Sequence, residues 1–161
     1  MTARRVGARL ALAGAVMLGV GAFASAAPAR SAALERQASA LCAAAFPAVL
    51  RLDTDEHRAL ADAKAGRLGV RALFARLRTD LLAAAGIGRR VAGRIAALPG
   101  AHADALTARL VAGLDALAGV IAAEAGAVGR DDQAAIRADA ARASRLIDAN
   151  RRLVPACGLV A

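Results

Sequence analysis

Leu106, Leu110, Leu114, Leu117, Ile121 and Val128 recur at the spacing of one face of an α-helix, with mostly small or polar residues between them. The stripe predicts an amphipathic helix that stops near Gly129. Upstream, Val70, Leu73, Phe74, Leu77 and Leu81 form a second stripe. Gly86 and Gly88 look like a break, yet Val91 and Ile95 return in nearly the same angular phase. One slightly distorted helix over about 70–98 therefore fits better than two, ended by Pro99-Gly100. Asp131 or Asp132 caps a last helix carrying Ile136, Leu146, Ile147 and Leu153, which stops before Pro155. Nearer the start, Ser31 can cap a helix with Leu34, Leu41 and Cys42 toward one side, ending around Phe46-Pro47. Ala48 to Leu52 is then a kinked extension or a separate turn. Asp53 stands three residues before Glu56, as in a capping box, and the acids suit the start of a helix that carries Leu60 and ends near Gly66. No alternating run and no Asn-Gly or Asp-Gly hairpin signal exists, so no strand is expected. The pattern predicts an all-α fold, an antiparallel bundle of four to five helices.

Composition sharpens this picture. Fifty of the 161 residues are alanine, there is no Trp or Tyr, and Phe occurs three times. Alanine favours helices and disfavours strands, which excludes an all-β fold. It also supplies more than half of the 58% hydrophobic content while burying little surface per residue. The core must therefore be aliphatic and built by close approach of small-residue faces. The length suits one domain. Twenty-one of the 22 basic residues are Arg, a bias shared with the alanine content and typical of GC-rich codon usage.

Arg4, Arg5 and Arg9 precede an apolar run from Leu10 to Ala24, long enough for a signal-peptide core and short of the roughly 20 residues a membrane-spanning helix needs. Ala24-Ser25-Ala26 offers a cleavage site before Ala27, and Ala27-Pro28-Ala29 a second before Arg30. The expectation is a signal peptide over 1–26 and a helical-bundle domain over 27–161, with an uncleaved N-terminal anchor as the competing reading. Gly7 stands where a twin-arginine signal carries a bulky apolar residue, so general secretion is favoured. Export gives the two cysteines meaning. In an oxidising compartment Cys42 and Cys157 read as a disulfide joining the two ends of the domain. A reactive or metal-binding pair lacks both a CxxC motif and neighbouring ligands.

The net charge of +9 falls to +6 if cleavage precedes Ala27, and its distribution is uneven. From Lys64 to Arg94 there are eight basic residues against the single Asp80. Lys64, Arg67, Arg71 and Arg78 follow helical spacing and can line one flank if a helix runs through Gly66 and Gly69, with Arg89, Arg90 and Arg94 as an extension. Such a flank is a candidate for an anionic lipid, a cell-wall polymer or an acidic protein, with a solvated bundle face as the ordinary alternative. Nucleic acid is disfavoured by the lack of a DNA-binding motif or aromatic platform, and by the export signal.

No catalytic constellation can be assembled. Ser31, Ser39 and Ser144 lack a nucleophile-elbow context, and no His or Cys pair has zinc-ligand spacing. The carboxylates at 53–56 and 131–132 read as helix caps. His57 and His102 remain as candidates for haem or a metal brought together in a bundle, although such pockets recruit aromatics and only Phe46 and Phe74 follow the signal segment. No cofactor is expected.

The early Leu41-Cys42, the alanine-rich helices and the closing Pro155-Ala156-Cys157-Gly158-Leu159 resemble small exported helical proteins of actinobacteria, mostly uncharacterised secreted proteins and lipoproteins. The resemblance implies the bundle and the disulfide and carries no activity. The chain departs from the lipidated members, because Ser39-Ala40-Leu41 makes a poor lipobox. The expectation is an exported, non-enzymatic protein of the cell envelope that binds an anionic partner through a basic helix flank. A carrier for a small apolar ligand or haem in the bundle core is the alternative.

Overall fold

The computed structural model describes residues 32–159; the expected signal peptide over 1–26 and both cleavage sites lie outside them. Four α-helices follow one another: α1 (Ala32–Lys64), α2 (Val70–Ala96), α3 (Ala105–Gly129) and α4 (Gln133–Leu153), closed by a 3₁₀ turn (Pro155–Leu159). Among the described residues there is no strand. The antiparallel bundle is the fold that the hydrophobic periodicity predicts.

The first helix departs from expectation. It is one helix of 33 residues with Pro47 inside it, and Asp53 begins nothing. The apolar stripe explains why. Leu34, Ala38, Leu41, Ala45, Val49, Leu52, Ala59 and Ala63 all fall on one face at helical period, so both halves bury the same side against the bundle. Pro47 removes one backbone donor, and the acceptor it leaves behind, the Ala43 carbonyl, belongs to an exposed residue open to solvent. Thr54 Oγ1 donates to the Leu50 carbonyl at 2.8 Å, a bond back along a continuing helix. The carboxylates of Asp53, Asp55 and Glu56 are therefore mid-helix groups, not caps.

The remaining boundaries follow from identifiable chemistry. Gly66, at φ 72°, closes α1: the Arg67 amide reaches back to the Asp62 carbonyl at 2.8 Å and the Gly66 amide to Ala63 at 3.1 Å. Asp104 caps α3 by accepting from the Thr107 amide at 2.7 Å. Asp132 caps α4 through the Ala135 amide at 3.0 Å. Its neighbour Asp131 has a different role, adopting φ 54° to end α3, with the Asp132 amide bonded to Ala127 and the Asp131 amide to Val128. That is the conformation glycine usually supplies.

Neighbouring helices pack in sequence, α1 on α2, α2 on α3 and α3 on α4, and the 3₁₀ turn reaches from α4 to α1. Gly88 lets α2 and α3 approach closely, since a Cβ there would lie 3.4 Å from the Ala118 Cβ. One core layer gathers Cys42, Val91, Ile95, Leu110, Leu114 and Val154 beside the disulfide; the other joins Ala85, Leu117, Ile121 and Ala143 across α2, α3 and α4. No Cα of α1 comes within 8 Å of one in α4. The 3₁₀ turn mediates between them, and the buried Cys42–Cys157 disulfide, which spans 115 residues of chain, ties α1 to that turn. Closing a loop of that length stabilises the fold by about 4–5 kcal/mol through the unfolded state. Such bonds persist in oxidising compartments.

Candidate functional site

Three of the expected cations share one flank of α2. Arg71, Arg78 and Arg89 are exposed, and helical pitch places Arg78 about two turns beyond Arg71 and Arg89 about three turns further on. None makes an ion pair or side-chain hydrogen bond among the described residues. Leu82, 47% exposed, sits in the same stripe and adds an apolar element. Arg90 and Arg94 are also exposed but project from other sides of the helix. A single line of charge from Lys64 onward would need a helix through Gly66 and Gly69. Instead Lys64 ends α1 and Gly69 is the N-cap of α2. Arg67 lies in the turn between them, where its Nη2 meets Asp62 Oδ1 at 2.6 Å. Arg137, Arg142 and Arg145 on α4 are likewise exposed and unpaired among the described residues, but α2, with six arginines against the single Asp80, carries the largest excess of positive charge of the four helices.

At the start of that flank an open cleft of about 500 Å³ lies between the first turns of α2 and the last turn of α3. Its walls are apolar where Val70, Phe74 and Val128 meet, and Arg71 and Arg78 border it on the α2 side, with Asp131 on the opposite rim. Gly129 makes room for the stem of Arg78, whose Cδ would stand 3.4 Å from a Cβ at that position. Val70 is 65% exposed, an unusual setting for a valine at a helix start. The first turn of α2 has no acidic residue and no side-chain cap on its amides, so the positive end of its dipole adds to Arg71 instead of being neutralised.

A second cluster, of carboxylates, lies on the inner faces of three helices. Glu56 on α1, Glu124 on α3 and Asp139 on α4 all occupy core-facing positions: Glu56 interrupts the α1 stripe between Leu52 and Ala59, Glu124 lies between Ile121 and Val128, and Asp139 between Ile136 and Ala143. All three are half-buried. Burial pushes the Glu124 carboxyl up to about 7, and the charges of Asp139 and Glu56 push the same way. Glu56 is raised by burial and by Asp53 and Asp80, against the opposing pull of His57. Asp80 on α2 is raised by burial, with Arg76 opposing and Asp55 reinforcing the shift; its Oδ2 is buried without a hydrogen-bond partner. The signal was present in the sequence as acids in register with apolar stripes. It was obscured because the 53–56 acids also fit a capping box.

The histidines are held apart. His57 is exposed on α1, its Nδ1 2.8 Å from the Asp53 carbonyl oxygen. His102 is exposed in the α2–α3 connection, beyond the far end of α2, a helix of 27 residues and so about 40 Å long. Among the described residues no three His, Cys, Asp or Glu side chains converge where they could hold a metal ion. No protein-family model, curated protein or solved structure matches the chain.

Proposed function

We propose that the protein is exported and acts by binding, without catalysis, to an anionic component of the cell envelope through the Arg71–Arg78–Arg89 flank of α2. The observation that carries this reading is the concentration of unpaired guanidinium groups on one exposed helix face. Guanidinium is suited to carboxylate and phosphate because its donors form a planar fork and its charge does not titrate. The buried Cys42–Cys157 bond supports an address outside the cytoplasm. The opening stretch of Arg4, Arg5, Arg9 and the Leu10–Ala24 run supports export.

Each cation near an anionic surface contributes about 1 kcal/mol, so three together supply roughly 3 kcal/mol, or about a hundredfold in affinity. Co-sedimentation with phosphatidylglycerol vesicles and with a wall teichoic-acid preparation tests the reading. Binding at low salt that weakens as salt rises, and is lost in Arg71→Glu/Arg78→Glu/Arg89→Glu, is the expected result. Failure of the wild-type protein to bind either probe at low salt overturns it.

A further inference from the structure

We infer that the α2–α3 cleft is a binding site for one single-chain amphiphile with a carboxylate head, a free fatty acid in chemical class. The inference rests on reading the α2 flank as anion-binding and adds what that flank does at its first turns. Val70, Phe74 and Val128 supply an apolar wall that is left open, within a volume of about 500 Å³. Small-molecule sites run from roughly 300 to 1,000 Å³ and combine apolar walls with a few placed polar groups. One acyl chain suits such a wall better than the paired chains of a bilayer lipid.

The polar groups select the head. Arg71 and Arg78 border the cleft without an ion-pair partner among the described residues, and the first-turn amides of α2 have no side-chain cap. A carboxylate at the mouth would meet guanidinium donors and the positive end of a helix together. Asp131, on the other rim, subtracts one charge from two. The residual single positive charge matches a monoanion, and the Asp131 carboxylate opposes a dianionic phosphate. Gly129 is part of the arrangement, because it leaves the space through which the Arg78 stem passes along the cleft.

The test titrates the purified protein with laurate below its micelle concentration, in parallel with dodecyltrimethylammonium and dodecyl phosphate. Saturable binding of one laurate, at least about tenfold tighter than the cationic or the phosphate probe, is expected. Ala75 also lines the cleft from an exposed helix position, and Ala75→Phe fills the space without removing a charge. It should weaken laurate binding about tenfold while leaving vesicle binding intact. Arg89→Glu should do the reverse. The inference is overturned if laurate does not bind, if the three head groups bind equally, or if Ala75→Phe binds laurate as the wild type does. Vesicle binding without laurate binding sinks this inference and spares the flank; laurate binding without vesicle or polymer binding confines the site to the cleft and sinks the broader reading.

Discussion

Replacing Glu124 by Gln should make the protein more stable above neutral pH. The Glu124 carboxyl is pushed from 4.5 to about 7 by burial, then by Asp139 and Glu56, so ionising it in the folded state costs about 3 kcal/mol more than in the unfolded chain. The side chain keeps partial contact with water, and solvent screening reduces that figure to about 1.5–2 kcal/mol. Because the folded pKa lies above the unfolded one, the folded state holds a proton through the interval from 4.5 to about 7 that the unfolded state has released. The associated stability is fully present below 4.5 and disappears as pH rises through about 7. Glutamine keeps the shape and cannot ionise. Thermal unfolding followed by circular dichroism at pH 5 and pH 8 measures the effect. At pH 8, Glu124→Gln should melt roughly 6 °C above wild type, with a much smaller difference at pH 5. Equal melting temperatures at pH 8, or a variant less stable there, would refute the placement of Glu124 in an acidic, partly dry environment.

Three further outcomes follow from the packing. Reducing the disulfide, or changing both Cys42 and Cys157 to Ala, should cost about 4–5 kcal/mol in urea unfolding, because the bond closes a loop of 115 residues in the unfolded chain. Asn150→Ala should change stability by less than about 1 kcal/mol: the Asn150 amide is 1% exposed, neither its Oδ1 nor its Nδ2 is hydrogen-bonded, and it sits so closely over Gly113 that a bulkier apolar side chain would not fit. A loss of about 3 kcal/mol or more in that variant would mean the amide is satisfied in solution. Asp131→Gly should raise stability by up to about 1 kcal/mol in the same assay, since φ 54° suits glycine better than aspartate. A lower stability would show that the Gln133 Nε2 bond to Asp131 Oδ1, at 3.0 Å, outweighs the backbone strain.

The helices of the second half were legible because their signals agree. Leu106 to Val128 marks α3 by period, and of the two acids that could cap α4, Asp132 is the one that does. Val91 and Ile95 correctly bridged the glycines of α2, where Gly88 proved to be a contact with α3 and not a break. The first helix misled because two local rules, the proline at 47 and the acids at 53–56, outweighed a weak alanine stripe. An alanine contributes little to a hydrophobic pattern yet marks the buried face as surely as a leucine when the neighbouring helix is close. The same weakness hid the interior carboxylates. Glu56 fits a capping box only if a helix begins at Asp53, and none does. Of the basic flank, the residues of α2 were legible from spacing. The separation of Lys64 and Arg67 was not, because it depends on Gly66 adopting φ 72°. The cleft beside Arg71 and Arg78 joins segments distant in the chain, and no local pattern could reveal it.

The central claim is that the uncompensated arginines of α2 give the protein its task. A salt titration of binding to phosphatidylglycerol vesicles tests this most directly, comparing wild type with Arg71→Glu/Arg78→Glu/Arg89→Glu and with a control carrying Arg137→Glu/Arg142→Glu/Arg145→Glu on α4. The two triples alter net charge equally. Loss of about a hundredfold or more in the α2 variant, with a much smaller change in the α4 control, is the predicted result. Equal losses in both would show that net charge alone drives binding, and would contradict a site on α2.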